Sequence, residues 1–527
     1  MRIRTLAVAA MSALLLTACG DGGGGVDVDD PDGGTVGEDT DTDAGAGEDG
    51  GEASGPEGGT LIAAIGGEPD QLNPLTTTSS FAFTVLENVY DTLVQPGDDL
   101  SMEPALAESW ETSEDLLTWT FALREGVTFH DGTEFTAEDA VASFEYIQAE
   151  GANGWRLSMV DSFEATDDYT LTINLNRPAP NLLTQLGPFK GLAIAPSEAV
   201  EAGTLGEEAV GTGPFRLVSS GADVIELEAF EDYWGEGPYL DGIEFRVIPD
   251  EGVKLTNLET GEVDWIDSVP PEQVADLEGG DALTIGRTAG NDYWYMALNN
   301  AREPFDQPEV RRAIAFAIDP AAIAEAAKFD AATPNETAIP EGSFWYHEYA
   351  PFGHDPDQAR QLLDEAGVSD LSIDLMVTNE FPETVTAAQV IESQLGEVGI
   401  DVEIRTEDFN TWLAEQGEGN FDAFALGWLG NIDPDDFYYA QHHSEGGFNF
   451  QGFADDEVDQ LLDDARVEVD DDARKELYDQ AAERIVDQAS YIYFFNPDIV
   501  EAWTPGLSGY ETRADAATRF VTTRIED

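Results

Sequence analysis

The sequence predicts an α/β protein with an at least partly parallel sheet, and three observations lead there. Residues 371–377, 383–398 and 400–404 read in turn as a strand, a helix stopped by Gly399 and an alternating strand, and that spacing is a βαβ unit. Apolar stripes at helical spacing (Val458, Leu461, Leu462, Ala465; then Ala473, Leu477, Ala481, Ile485) share the chain with strand-like runs at Leu117 to Leu123 and Tyr491 to Phe495. At 527 residues the chain is too long for one ordinary domain. Length alone suggests about two to four.

The N-terminus reads as a targeting segment. Arg2 and Arg4 form a basic start, Leu6 to Leu16 an apolar stretch too short to span a bilayer, and Leu16-Thr17-Ala18-Cys19 follows. This ending resembles a bacterial lipobox, which makes residues 1–19 a lipoprotein signal peptide and Cys19 the lipidated first residue of the mature chain. The other reading is an ordinary signal peptide with an incidental cysteine. Cys19 is the only cysteine, so an intramolecular disulfide and a Cys-rich metal site are both excluded. Residues 20–59 carry thirteen acidic side chains, no basic one and hardly a bulky apolar group, the composition of a disordered acidic tether. Asp39-Thr-Asp41-Thr-Asp43 within it starts like a calcium loop, but Ala44 and Gly50 stand where Gly and Glu are needed, and it reads as a solvated charge run. No later run of 18 apolar residues occurs.

Charge narrows the function classes. Against 108 acidic side chains stand 23 basic ones, four of them Lys, for a net of -85. Such a field repels nucleic acid, and its self-repulsion opposes a compact state unless salt screens it.

The folded part opens at 60–65 with a strand. A loop from Gly66 to Pro74 leads away, and Thr76-Thr-Thr-Ser-Ser80 precedes a helical pattern from Phe81 to Tyr90. Hydroxyls at a helix start either cap that helix or contact a ligand. Residues 107–148 are the most distinctive stretch: Ala107-Glu-Ser-Trp110, the alternating Leu117 to Leu123, an Asp131-Gly132 turn, and Thr136 with Asp139 at a helix N-terminus. His130 is read there as a hydrogen-bonded structural histidine. Further landmarks are Gly211-Thr-Gly-Pro-Phe215, Tyr233-Trp-Gly-Glu-Gly-Pro-Tyr-Leu-Asp-Gly-Ile243, the run from Lys254 to Asp264, and Met296-Ala-Leu-Asn299. In Phe305 to Ile318, Asp306 is expected to cap a helix entered through Pro308, and Asp319-Pro320 and Asp355-Pro356 begin further helices.

In this order, the motifs resemble the extracellular solute-binding proteins of the dipeptide, oligopeptide and nickel type, family 5 of the ABC importers, over about residues 60 to 527. The resemblance implies an α/β, two-lobe periplasmic-binding-protein-like fold with an additional subdomain in the first lobe and a hinge of crossing segments. Lobe I is expected at 60–292 plus 492–527, with 78–210 as the extra subdomain, and lobe II at 296–491. The function implied is that of a lipid-anchored receptor outside the cytoplasm. It captures a small solute, a peptide first, and delivers it to the permease subunits of an ABC importer in the membrane. A non-peptide solute such as a nickel chelate is the alternative on the same scaffold. The implied protein is a monomer and no enzyme, with no cofactor, no bound metal and no nucleic acid partner. A secreted hydrolase is the alternative of another class. Against it, Gly506-Leu-Ser508-Gly-Tyr510 breaks the nucleophile pattern, and His347-Glu348 lacks the second histidine of a zinc protease.

The pocket expectation centres on Phe421 to Phe437. The strand delivers Trp428 into a Gly-Asn-Ile-Asp-Pro loop. In peptide-binding relatives this Gly-Trp lines the pocket, and an Asp three residues later pairs with the peptide's amino terminus. Here Asn431 holds that place, so Asp433 is expected to shift into the role if an amine is bound. Ala425 stands where oligopeptide binders can carry an Arg. Thr77, Thr78 and Ser79 from the first lobe are the facing candidates, with Trp412 as a further one. His442-His443, read as strand neighbours pointing opposite ways, are assigned to the surface or pocket edge, with a metal as the minor alternative because nickel-chelate binders belong to the family resembled.

Overall fold

The computed structural model describes residues 58–526, apart from 99, 190, 330, 380 and 429–431. Residues 1–57 and Asn431 therefore lie outside the described residues, and with them the signal peptide, Cys19 and nearly all of the 20–59 stretch.

Two parallel strand groups organise the chain. Thr60–Ile65 runs parallel to Gly242–Val247 and to Trp265–Ile266. Ser372–Thr378 runs parallel to Asp401–Glu407 on one side and Ala423–Trp428 on the other. The connecting helix is Pro382–Glu397, with Pro at its first turn and Gly399 just beyond its end at φ +85°. One strand, Tyr491–Trp503, ties the groups into a single twelve-stranded sheet. Its first part pairs with Tyr293–Leu298 and Ala332–Pro334, and its second part with Thr284–Ala289 and Trp265–Ile266. The sequence marks this strand only to Phe495, because Pro497 breaks the pattern. Pro497 lacks an N–H, but its carbonyl accepts from Gly290 N (3.0 Å) and the next N–H, of Asp498, donates to Ala331 O (3.0 Å), so pairing continues across it.

A separate antiparallel sheet is inserted in the first half, in the order Ala107–Thr112, Thr118–Leu123, Thr170–Leu175, Val160–Asp167. Helix Ala137–Glu150 covers it, with Phe144 against Phe163 at 5.5 Å. The helix starts as the sequence predicts: Thr136 N donates to Asp139 Oδ2 (2.8 Å) in a capping box. Asp131 Oδ1 accepts from Thr133 N (2.9 Å) in the turn at Gly132.

The first half's core includes the end of the chain. Trp265 meets Tyr510 and Phe520 edge-on at 5.8 and 5.3 Å, and the Asn88 amide donates to Thr518 O (2.9 Å) and accepts from Phe520 N (3.0 Å). In the second half, helices Pro308–Ala317, Pro320–Lys328, Pro356–Ala366 and Pro382–Glu397 bury apolar stripes against the sheet. A further core packs tyrosines, with Tyr295 stacked on Tyr491 at 4.0 Å.

Asp319 and Asp355 cap their helices, accepting from Ala321 N (3.0 Å) and Gln358 N (2.9 Å). Asp306 does not: the residue before Pro308 is Gln307, whose backbone takes the cap position without a side-chain bond. His442 and His443 also differ from expectation, because the segment is the helix Tyr438–His442 and not a strand. His442 is fully buried between Ser490 Oγ (2.8 Å) and Tyr493 OH (3.0 Å), and burial lowers its pKa to about 3. His443 stacks on Tyr439 at 4.2 Å. His130 is a scaffold residue, bonded to Gly213 O (2.9 Å) and Gly211 N (3.3 Å), and burial lowers its pKa to about 4.

Candidate functional site between the two halves

In an open parallel sheet, side chains and loops at the carboxyl ends of the strands are the ones free to meet a ligand. Those ends here are Ile65, Thr378 and Trp428, with the loops that follow each.

On the first-half side, the loop after Ile65 is pinned by Gly66 N donating to Asp267 Oδ2 (2.7 Å). Asp267 also pairs with the buried Lys254, whose Nζ reaches Ser268 Oγ (2.6 Å). Thr77 is fully buried and spends its hydroxyl locally, donating to Asp70 Oδ1 (2.5 Å) and accepting from Ser79 N (3.1 Å). Ser79 caps helix Ser80–Leu86 by accepting from Ala82 N (3.4 Å). Thr78 between them is half-buried.

On the second-half side, Gly427 is needed because a Cβ there would lie 2.8 Å from the Trp294 ring. Trp428 follows it half-buried, edge-on to Phe448 at 5.0 Å, and its indole Nε1 is buried without a hydrogen-bond partner among the described residues. Such a donor is costly to leave unmade in a finished site. Trp412 is placed elsewhere: helix Phe409–Glu418 turns it into the aromatic core, fully buried between Phe409 (6.0 Å) and Phe424 (5.4 Å).

The loop after Trp428 ends in a tight turn, Pro434–Asp436, that carries three buried carboxylates counting Asp433 before it. Asp433 is 1 % exposed and gripped by Arg474, whose Nη1 and Nη2 donate at 2.6 and 2.7 Å. Both of its oxygens are therefore committed to a guanidinium. Asp435 pairs with Arg466 (2.9 Å), which lies 3.6 Å over the Tyr439 ring. Asp436 reaches the other half: Gln185, in the short helix Leu182–Leu186, donates Nε2 to its Oδ1 at 2.6 Å. Gln185 in turn accepts from Arg156 Nη1 (3.4 Å). Burial pushes the Asp436 carboxyl up to about 7, with Arg156 opposing and Asp433 and Asp435 adding to the rise.

The sequence offers Trp428 and Asp433 as pocket residues, and the structure adds Gln185 and Arg156 beside the same turn, neither of which carries a local motif. Among the described residues, no group of three His, Cys, Asp or Glu side chains is placed to hold a metal ion, and no helix is long and apolar enough to cross a membrane.

Comparison with known proteins agrees with this architecture. Residues 101–449 match the family model of bacterial extracellular solute-binding proteins, family 5 Middle. The glutathione-binding protein of Pectobacterium atrosepticum is 31% identical over 366 residues, covering 68% of this chain and 71% of that one. The dipeptide-binding protein of Escherichia coli is 29% identical over 446 residues, covering 77% and 83%. Among solved structures, the ABC transporter-associated periplasmic binding protein of Helicobacter pylori in complex with the peptide STSA superposes with a TM-score of 0.76. It is 29% identical, over 90% of this chain and 99% of that one.

Proposed function

This chain belongs to family 5 of the bacterial extracellular solute-binding proteins, and on that premise we propose that it captures a peptide between two lobes and presents it to the permease of an ABC importer. The observation that carries the peptide reading is the scaffold shared along most of the chain with proteins named for glutathione and dipeptides. We place lobe I at 60–292 plus 492–527, with 78–210 as its extra subdomain, and lobe II at 296–491. Closure is then a hinge motion about the segments that cross between them. The pocket is assigned to Thr78, Ser79, Trp428 and Asn431, with the Trp428 indole donating to a peptide carbonyl. Cys19 is assigned as the lipidated residue that holds a monomeric receptor at the outer face of the cell membrane, through the acidic tether 20–59. The reading includes no turnover of the solute.

The test is mass spectrometry of solutes that co-purify with the mature protein in high salt, after denaturing release. A peptide mixture supports the reading. A nickel chelate or a single non-peptide solute in stoichiometric amount overturns the peptide assignment. Hydrolysis of peptides by the pure protein overturns the receptor reading as a whole.

A further inference from the structure

Two of the three buried carboxylates of the turn find their cations inside lobe II, Asp433 in Arg474 and Asp435 in Arg466. The third looks across the seam. Asp436 Oδ1 accepts from Gln185 Nε2 at 2.6 Å, and the opposite charge acting on it is the buried Arg156 guanidinium, both from the inserted subdomain of lobe I. Arg156 Nη1 donates to Gln185 Oε1 at 3.4 Å, and Asp436 is the carboxylate that acts on it in return. The Gln185 side chain, 1 % exposed, thus gives its N–H to lobe II and its carbonyl oxygen to a cation of its own lobe. An amide suits a contact that must be made and broken. It offers a donor and an acceptor at once, has no charge of its own to desolvate, and exchanges both bonds for water when the lobes part. Nearby, Arg177 of lobe I faces Asp435, which draws it, and Arg466, which repels it, so attraction and repulsion oppose each other at that point.

We propose that Gln185 is a positioning residue for capture: its amide latches the inserted subdomain onto the Asp436 turn in the closed form, and this contact holds the lobes together without touching the solute. The proposal rests on the solute-capture reading above and makes the extra subdomain part of the closing device. A contact within the protein favours the closed form by the same factor whatever lies between the lobes. It therefore sets how long every solute is held and leaves the choice among solutes unchanged.

The experiment is small-angle X-ray scattering of the full mature protein, stripped of solute, in high salt, beside the dissociation rates of dialanine, trialanine and glutathione. Gln185→Glu keeps the volume and the acceptor for Arg156 but sets a second carboxylate against Asp436, a repulsion felt only when the lobes are closed. At about pH 8 its radius of gyration is expected to exceed that of wild type, and the three solutes to leave at least about tenfold faster, each by the same factor. At about pH 5, where the two carboxyls share a proton, both differences from wild type at the same pH are expected to shrink. Gln185→Leu, which removes both bonds, is expected to show the same opening and faster release at both pH values. Thermal melting checks folding. A radius and dissociation rates equal to wild type in both variants overturn the latch. Changes that differ from solute to solute also overturn it, because they place Gln185 in the pocket. Melting of both variants as a whole far below wild type marks the amide as part of a core and overturns it as well. If none of the three solutes binds, a larger radius in the variants supports the latch while the peptide reading fails, and an unchanged radius overturns both.

Discussion

Replacing Asp433 by Asn removes one charge from a pair whose side chains are 1 % and 3 % exposed, and little else. The amide keeps an oxygen for the N–H of Asp435, which Asp433 Oδ1 now accepts at 3.0 Å, so the turn's cap survives. What is lost is the counter-ion of Arg474. Its remaining hydrogen-bond partners, Ala465 O (3.1 Å) and Tyr478 OH (3.2 Å), are neutral, and the Asp435 carboxylate, which pairs with Arg466, acts on it only through space. Removing one member of a buried ion pair costs about 3–5 kcal/mol, because the other charge stays buried. For a cooperative unit of about 150–250 residues, each kcal/mol moves the melting temperature by about 2–4 °C, so a fall of roughly 6–20 °C is expected. The assay is calorimetric melting of solute-free protein, beside the double variant Asp433→Leu with Arg474→Met. The double variant is expected to recover much of the loss, since it buries no unpaired charge. If Asp433→Asn instead melts with wild type but no longer binds solute, the carboxylate is reserved for the ligand and the structural account of it is wrong.

Two further outcomes follow from burial and charge. Burial pushes the Glu501 carboxyl from 4.5 up to about 8, where Tyr510 OH (2.9 Å) and Thr512 Oγ1 (2.7 Å) donate to it. The folded state thus keeps a proton that the unfolded state releases, and stability is full below about pH 4.5 and declines as pH rises to about 8. Glu501→Gln is expected to flatten that decline and to be the more stable protein at pH 9, by a few kcal/mol; a wild-type melting temperature that does not fall across this window counts against it. Separately, a net charge of -85 predicts a higher melting temperature as potassium chloride rises from about 0.1 M to about 1 M and the screening length shrinks from about 10 Å to about 3 Å. Equal stability at both ends removes self-repulsion from the account.

What could be read from sequence was local or carried by ordered motifs. The βαβ unit near Ser372–Thr378, the capping box at Thr136 and Asp139 and the caps at Asp319 and Asp355 each lie within one element, so their periodicity and spacing state them. Asp306 was misjudged because two residues precede Pro308 and only the nearer, Gln307, reaches the cap position. Trp412 enters the pocket expectation through the family resemblance alone, and only its packing on Phe409 and Phe424 shows that it lies in the aromatic core. The partners of the carboxylate turn were illegible for a different reason. Arg474 is 41 residues from Asp433 and Gln185 is 251 from Asp436, and no pattern in a single chain pairs residues at such range.

The strand Tyr491–Trp503 also sets a timetable for making the protein. It joins Trp265–Ile266 of the first parallel group to Tyr293–Leu298, the neighbour of the second, yet it follows every other strand of that sheet in the chain, and Tyr510 and Phe520 after it pack into the first half's core. Until they arrive, strands Trp265–Ile266 and Tyr293–Leu298 each show an open edge, and neither half can close on its own. A nascent chain halted before about residue 490 is a pair of unfinished sheets.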